Sequence, residues 1–365
     1  MMMMMMMASW RNLLLATLGA LASTAAAAQA AGPAPAFDGA FSVMTYNVKG
    51  APWPVTHGRG RDLRAIGDRL RQLRTEGRNP HIVLLQEAFS ADARAIARRA
   101  GYRFVVRGPG AGERTPEPAS APDAAFLAAR SFFHGERSGK FFDSGLLLLS
   151  DFPVTNVHRL SYPAFACAGI DCMANKGALL ATVEIPGAPA PVDIVTTHLN
   201  SRHHARVTDS RSLYAYSRQV ALLAQFIAAN HDPSHPLIVG GDFNVGRAPA
   251  RGSALEASLS AWGANAPVAE ALAAVTGGRG AQQEALPPDA AAVVRRNTDF
   301  EFFVPGRLAA LTPRAIDVPF GREARGGMLS DHLGYTITFG LAPRPLAIAA
   351  LDRPAVPPAA PARAR

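Results

Sequence analysis

The chain is poor in several things. Two cysteines in 365 residues, Cys167 and Cys172, cannot build a disulfide scaffold or a cysteine-based zinc module. Charged residues make up only 18% and hydrophobic ones 48%, so the chain can bury a sizeable core and is no disordered polyelectrolyte. Lysine is scarce: Lys49, Lys140 and Lys176 stand in a chain that otherwise uses arginine. Lys+Arg 37 against Asp+Glu 28 leaves +9, which excludes an acidic solvating chain. It favours anionic partners: phosphate esters, nucleic acid or a membrane surface. The apolar stretch Leu13 to Leu21 falls short of the ~20 residues a membrane span needs. No other segment is long and apolar enough, and no repeat of fixed period is visible.

The ends read as processing and tail. Arg11, the apolar stretch and the A-x-A pattern Ala28-Gln29-Ala30 predict a cleaved signal peptide over residues 1–30. The product would be secreted or periplasmic, with no transmembrane span in the mature chain, and a monomer is expected. Residues 31–341 read as one domain, and 342–365, rich in Pro, Ala and Arg, as a mobile tail. The Pro/Gly-rich break from Gly108 to Pro122 and the ambiguous stretch on to Phe142 suggest a functional loop; Thr276 to Asp289 is a second break.

Nine apolar runs read as buried strands: Phe41–Tyr46, Ile82–Leu85, Tyr102–Val106, Leu146–Leu149, Leu179–Ile185, Val192–Thr196, Leu237–Val239, Phe300–Val304 and Gly334–Phe339. Leu63, Ile66, Leu70 and Leu73 share one helical face. So do Tyr216, Val220, Leu223 and Ile227, behind a cap expected near Asp209 or Ser210. Ser90 caps a short helix that stops at Gly101. The strands come in consecutive pairs as well as alternating with helices. That pattern predicts an α/β fold of mixed β-sheets packed face to face with helices outside.

The strands end in chemistry. Asn47, Gln86-Glu87, His198 with Asn200, Asp242 with Asn244, Asp299, and Ser330-Asp331-His332 each stand at a strand end. One such residue is ordinarily a turn former. Six coincidences, each with acid–base or ligand chemistry, point to a site built on a sheet scaffold.

Seven blocks carry a resemblance: MTYNVKG (44–50), LLQEAF (84–89), SGLLLLSDFP (144–153), TTHLNS (196–201), IVGGDFN (238–244), TDFEFF (298–303) and LSDHLGY (329–335). In this order they resemble the endonuclease/exonuclease/phosphatase superfamily, the deoxyribonuclease I-like fold, over about Phe41 to Phe339. The resemblance implies a four-layer α-β-β-α sandwich and a metal-dependent phosphodiesterase domain. LLQEAF, CMANKGALLATV (172–183) and TTHLNS are similar to blocks of bacterial neutral sphingomyelinases, so a sphingomyelinase/phospholipase C-like enzyme is expected, with an exported nonspecific endonuclease as the alternative. A phosphate-ligand-binding module without catalysis is a remote third.

Phosphodiester hydrolysis needs a cation, an activated water and a proton for the leaving alkoxide. Glu87 is the best carboxylate for Mg²⁺, with Mn²⁺ and Co²⁺ as alternatives, and Asn47 can offer an amide oxygen beside it. Asp242 would orient the water and Asn244 donate to a phosphate oxygen. By resemblance, His332 is the general base, Asp299 orients it, Asp331 binds metal or water, and His198 stabilises the transition state. Asn200 and Lys176 are candidates for phosphate contact, Lys176 equally for a solvated turn. The pairs Phe132-Phe133 and Phe141-Phe142 read either as an interfacial loop for peripheral membrane contact or as strand-end core. Oxidising surroundings would close Cys167–Cys172 as a disulfide worth roughly 2 kcal/mol in a loop this short.

Overall fold

The computed structural model of the protein describes residues 37–51, 56–263, 266–278, 286–324 and 326–345. In chain order the elements are β1 (Ala40–Asn47), α1 (Gly60–Thr75), β2 (Ile82–Gln86), α2 (Ala91–Ala100), β3 (Phe104–Arg107), α3 (Ala121–Ala128), β4 (Leu147–Ser150), β5 (Val154–Ser161), β6 (Gly177–Val183), β7 (Val192–His198), α4 (Asp209–Asn230), β8 (Leu237–Asp242), α5 (Pro249–Leu259), β9 (Ala269–Glu270), α6 (Ala271–Thr276), α7 (Pro288–Arg296), β10 (Asp299–Val304), β11 (Ala309–Phe320) and β12 (Gly334–Pro343). They form two mixed six-stranded sheets, ordered β11-β12-β1-β2-β4-β3 and β5-β6-β7-β8-β10-β9.

Strand parity sorts the side chains into layers. Successive residues of a strand face opposite sides. Phe41 and Val43 of β1, Ile82 and Leu84 of β2, Leu179 and Ala181 of β6, Ile194 of β7, Ile238 of β8, and Ile337 and Phe339 of β12 fill one core between the sheets. The opposite parity of the first sheet, Met44, Tyr46, Val83 and Leu85, packs on Leu63, Ile66 and Leu70 of α1 and Ile96 of α2. The opposite parity of the second, Leu180, Val195, Val239 and Phe300, packs on Tyr216, Val220, Leu223 and Ile227 of α4. These are four layers, α-β-β-α, as expected. Burying each such side chain is worth about 1.5–3 kcal/mol.

Several local expectations need correction. Thr208, not Asp209 or Ser210, caps α4, accepting from the Arg211 amide. Three strands were not legible as apolar runs, and one of them, β9, is only the pair Ala269–Glu270. In β5, residues 155, 156, 158 and 159 are exposed. The edge strand β11 carries Pro313 and Pro319 and pairs with β12 through register shifts, and an edge tolerates proline because one side of it needs no ladder donor. The 108–142 stretch is not one loop: it holds α3, whose cap Ser120 forms a reciprocal capping box with Asp123. The last strand reaches Pro343, two residues past the boundary expected at 341. The expected signal segment 1–30 and residues 346–365 lie outside the described residues. Among the described residues, no helix is long and apolar enough to cross a membrane.

Candidate active site

The inward parity that builds the inter-sheet core changes character at one end of the sandwich. On β1 the inward row runs Phe41, Val43, Thr45, Asn47; on β2, Ile82, Leu84, Gln86; on β7, Val192, Ile194, Thr196, His198; on β8, Ile238, Gly240, Asp242. On β10 the same face carries Asp299 and Glu301. Register aligns them: His198 pairs with Asp242 in the parallel β7–β8 ladder, and Asp299 with Asp242 in the antiparallel β10–β8 ladder. Gly241 makes this close approach feasible: a Cβ there would lie 2.1 Å from the Thr197 carbonyl oxygen, at φ +151°.

The sheets meet through one amide. Asn47 Nδ2 donates to Glu87 Oε1 and to Asp242 Oδ2, each at 3.0 Å. Its oxygen accepts from the Lys49 amide at 3.0 Å. The expectation that Asn47 presents an oxygen beside Glu87 is therefore corrected, because nitrogen faces the two carboxylates. Lys49, Glu87 and Asn244 sit at φ +51°, +56° and +51°. Left-handed backbone is costly for such residues and is held where surroundings over-determine it, typically at functional sites.

His332 and Asp299 form the tightest pair. His332 Nδ1 lies 2.8 and 3.1 Å from the two Asp299 oxygens, and Nε2 is 3.7 Å from Asp242 Oδ2. Ser330 fixes the turn that presents the ring, its Oγ donating to the Asn47 carbonyl at 2.7 Å. Burial alone would lower the imidazole, but the Asp299 and Asp242 carboxylates outweigh it and hold His332 up to about 10. Burial and the like charge of Asp299 push the Asp242 carboxyl up to about 7, against the opposing pull of His332.

His198 is the counterpart. Nε2 lies 3.2 Å from Lys176 Nζ and 3.4 Å from Asp242 Oδ2, while the buried Nδ1 has no hydrogen-bond partner among the described residues. Burial first, then the Lys176 ammonium, keep this ring well below the usual histidine range, so it is neutral. Lys176 is neither a solvated turn residue nor free for phosphate. Its three hydrogens are matched by Asp171 Oδ2 at 2.9 Å, the Leu199 carbonyl at 2.9 Å and His198 Nε2 at 3.2 Å. Asp171 is the residue that sequence reasoning missed. It also accepts from the Ser201 amide at 2.6 Å, and it lies inside the loop closed by the Cys167–Cys172 disulfide. The signal was there: a carboxylate between the cysteines, five residues before the lysine.

Two more of the expected site residues stand apart from the cluster. Asn200 is fully buried: its Oδ1 accepts from the Ala168 amide and its Nδ2 donates to the Ser201 carbonyl, so it braces loops and faces no phosphate. Asp331 turns outward into an ion pair with Lys49 at 2.8 Å and does not join Asp242 and Asp299. Asn244 is half-buried; its backbone amide donates to Asp242 Oδ1 and its Nδ2 to the Leu199 carbonyl, which leaves one side-chain hydrogen for a ligand.

Asp242, Asp299 and His332 offer atoms within 4.8 Å of one another, a candidate metal-binding triad. Asp299 is already engaged by His332, so the oxygen donors best suited to a cation are Glu87 and Asp242, which share the Asn47 amide. Hard carboxylate oxygens in a buried cluster suit Mg²⁺, and a cation there would relieve the crowding that raises Asp242.

The family profile described as the Endonuclease/Exonuclease/phosphatase family matches residues 44–332. The chain belongs to this family. Among solved structures, sphingomyelinase C from Streptomyces griseocarneus is similar at TM-score 0.52 and 20% identity, over 82% of this chain and 99% of that one. A beta toxin double mutant from Staphylococcus aureus with bound magnesium ions is similar at TM-score 0.53 and 16% identity, over 81% and 98%. D. rerio TDP2 complexed with single-strand DNA product is similar at TM-score 0.51 and 16% identity, over 83% and 99%. At these identities the likeness is one of fold. No curated protein matches the chain by sequence.

Proposed function

We propose that the protein is an exported, metal-dependent phosphodiesterase of the sphingomyelinase/phospholipase C type, acting by in-line attack of an activated water. The observation that carries this reading is the placement of two histidines on either side of Asp242, His332 held by Asp299 and His198 held by Lys176. A divalent cation held by Glu87 and Asp242 would supply charge for the phosphate oxygens and sharpen the bound water. Asp299 fixes His332 with Nδ1–H donating, which leaves Nε2 as the atom that takes a proton from water when the ring is neutral. His198, kept neutral and braced by Lys176, would stand beside the pentavalent phosphorus and share in its stabilisation. Asn244 supplies its remaining hydrogen to a phosphate oxygen.

The Cys167–Cys172 disulfide supports export to an oxidising compartment. Phe132, Phe133 and Phe141 are 66%, 95% and 60% exposed, which supports peripheral membrane contact over the strand-end core reading. The test is paired. Phospholipid vesicles containing sphingomyelin and plasmid DNA are each incubated with the protein, with and without EDTA. EDTA-sensitive release of phosphorylated headgroup without DNA nicking is expected. Nicking without headgroup release would replace this reading with a second one, an exported nonspecific endonuclease. One observation favours that second reading: an arginine-rich cleft borders the site.

A further inference from the structure

That cleft, of about 760 Å³, opens beside the His332 turn. Its wall includes Lys49, His57, Arg59, Arg296, Arg322 and Asp331. It is contiguous with the active site through the backbone: Asp331 precedes His332, Lys49 lies two residues after Asn47, and Ser330 ties the two segments by its bond to the Asn47 carbonyl. The charges in the wall are unequally committed. Arg59 is held by Asp62 at 2.5 Å and by three backbone carbonyls, and Lys49 by Asp331 at 2.8 Å. Arg296 and Arg322 are exposed. Arg296 donates only to the Asp331 carbonyl and the Met328 sulfur, and among the described residues neither guanidinium has a carboxylate within salt-bridge distance. Two arginines with no carboxylate partner among the described residues thus line one cleft beside the candidate site, and guanidinium groups suit a tetrahedral anion.

We propose that this cleft is a second anion subsite, which binds a further phosphate carried on an ester arm of the substrate. The proposal rests on the phosphodiesterase reading: among diesters the site accepts, those with a second phosphate bind more tightly than those without one. Among the described residues, the wall carries no Phe, Tyr or Trp, and its polar groups are mainly cationic. Thr56, His57 and Arg59 come from the segment after β1, and Arg296 from the end of α7. The subsite is thus assembled from two loops and a helix terminus around a site that strand ends define.

The experiment uses the p-nitrophenyl ester of thymidine 5′-phosphate, with and without a 3′-phosphate, on the Mg²⁺-loaded protein. The extra phosphate should lower KM by about tenfold, the scale of one charge-assisted contact, with little change in kcat. The advantage should shrink as salt rises. Arg322→Ala, and Arg296→Lys with Arg322→Ala, should remove the advantage while leaving bis(p-nitrophenyl) phosphate turnover unchanged; Arg296→Lys keeps a donor for the Asp331 turn. Equal KM values for the two esters, or an advantage that survives the double substitution, would overturn the subsite. If no ester is hydrolysed at all, the phosphodiesterase reading fails on its own. The cleft is then judged by calorimetry, where thymidine 3′,5′-bisphosphate must bind more tightly than thymidine 5′-phosphate, and only in the unsubstituted protein. Competition by oligothymidylate or by vesicles with phosphatidylinositol 4-phosphate then names the carrier, and competition by neither counts against the cleft.

Discussion

His332 owes its high basicity to Asp299, which both hydrogen-bonds the ring and faces it with charge. Asp299→Asn should therefore drop the His332 pKa from about 10 toward the ordinary value near 6.5, readable by NMR titration of the ring, and cut turnover by on the order of 10²–10⁴-fold. A His332 titration unmoved by the substitution would break the assignment. The same pair has a sign in stability. Because the folded-state value lies above the unfolded one, its contribution is complete below about pH 6.5 and is lost as pH rises toward 10. Glu301 shows the opposite face of burial. It is fully buried, and burial pushes its carboxyl well above the usual range against a weaker opposing pull from the Thr45 backbone. Its folded form is thus stabilised only at low pH and is penalised as pH rises past the unfolded value. Glu301→Gln should stabilise the fold at pH 7 by on the order of 1–3 kcal/mol, read as a higher Tm in thermal melts at several pH values. A lower Tm at every pH would mean the carboxyl has a role the parity argument misses.

Elements carry the site by their ends and by the short segments between them. Between Cys167 and Lys176 the 3-10 turn Gly169–Met173 is pinned by the disulfide from Cys167 to Cys172, and its Asp171 aligns Lys176 against His198. Replacing both cysteines by serine should cost about 2 kcal/mol of stability by the chain-entropy account. It should also lower kcat more than it raises KM, because Asp171 loses its tether while the strands stay put. A changed KM with kcat intact would place the loop at substrate binding instead. This is also where the sequence was least legible. The strands whose inward rows are apolar, such as Ile82–Gln86 and Val192–His198, announce themselves by composition. So do the polar residues that end them, because a carboxylate or imidazole at the end of an apolar run is conspicuous. What distance in sequence hides is commitment. Asn200 and Lys176 look available in the chain, yet the fold consumes their donors and acceptors on Ala168, Ser201, Asp171 and Leu199. Strands β5 and β11 were hidden for a different reason: as half-exposed or edge strands they carry Asn, His, Arg and Pro at positions that a buried strand would fill with aliphatics.

At the scale of the whole molecule, two sheets share one apolar core, and the same parity that fills it turns polar at one end. The site is thus the end of the core and not an addition to it. Substituting deep in that core, for example Ile194→Ala, should cost about 2–5 kcal/mol, read by denaturant unfolding, while leaving the folded fraction with unaltered kcat. The central claim is that Glu87 of one sheet and Asp242 of the other jointly hold a divalent cation beside the His332 ring. It is tested most directly by hydrolysis of bis(p-nitrophenyl) phosphate as Mg²⁺ is added back to metal-stripped protein, for the native chain and for Glu87→Gln. The account predicts no turnover in EDTA, recovery with added Mg²⁺, and a half-saturating concentration at least ~10-fold higher for Glu87→Gln. Full turnover in EDTA, or identical Mg²⁺ dependence in the two proteins, would contradict it.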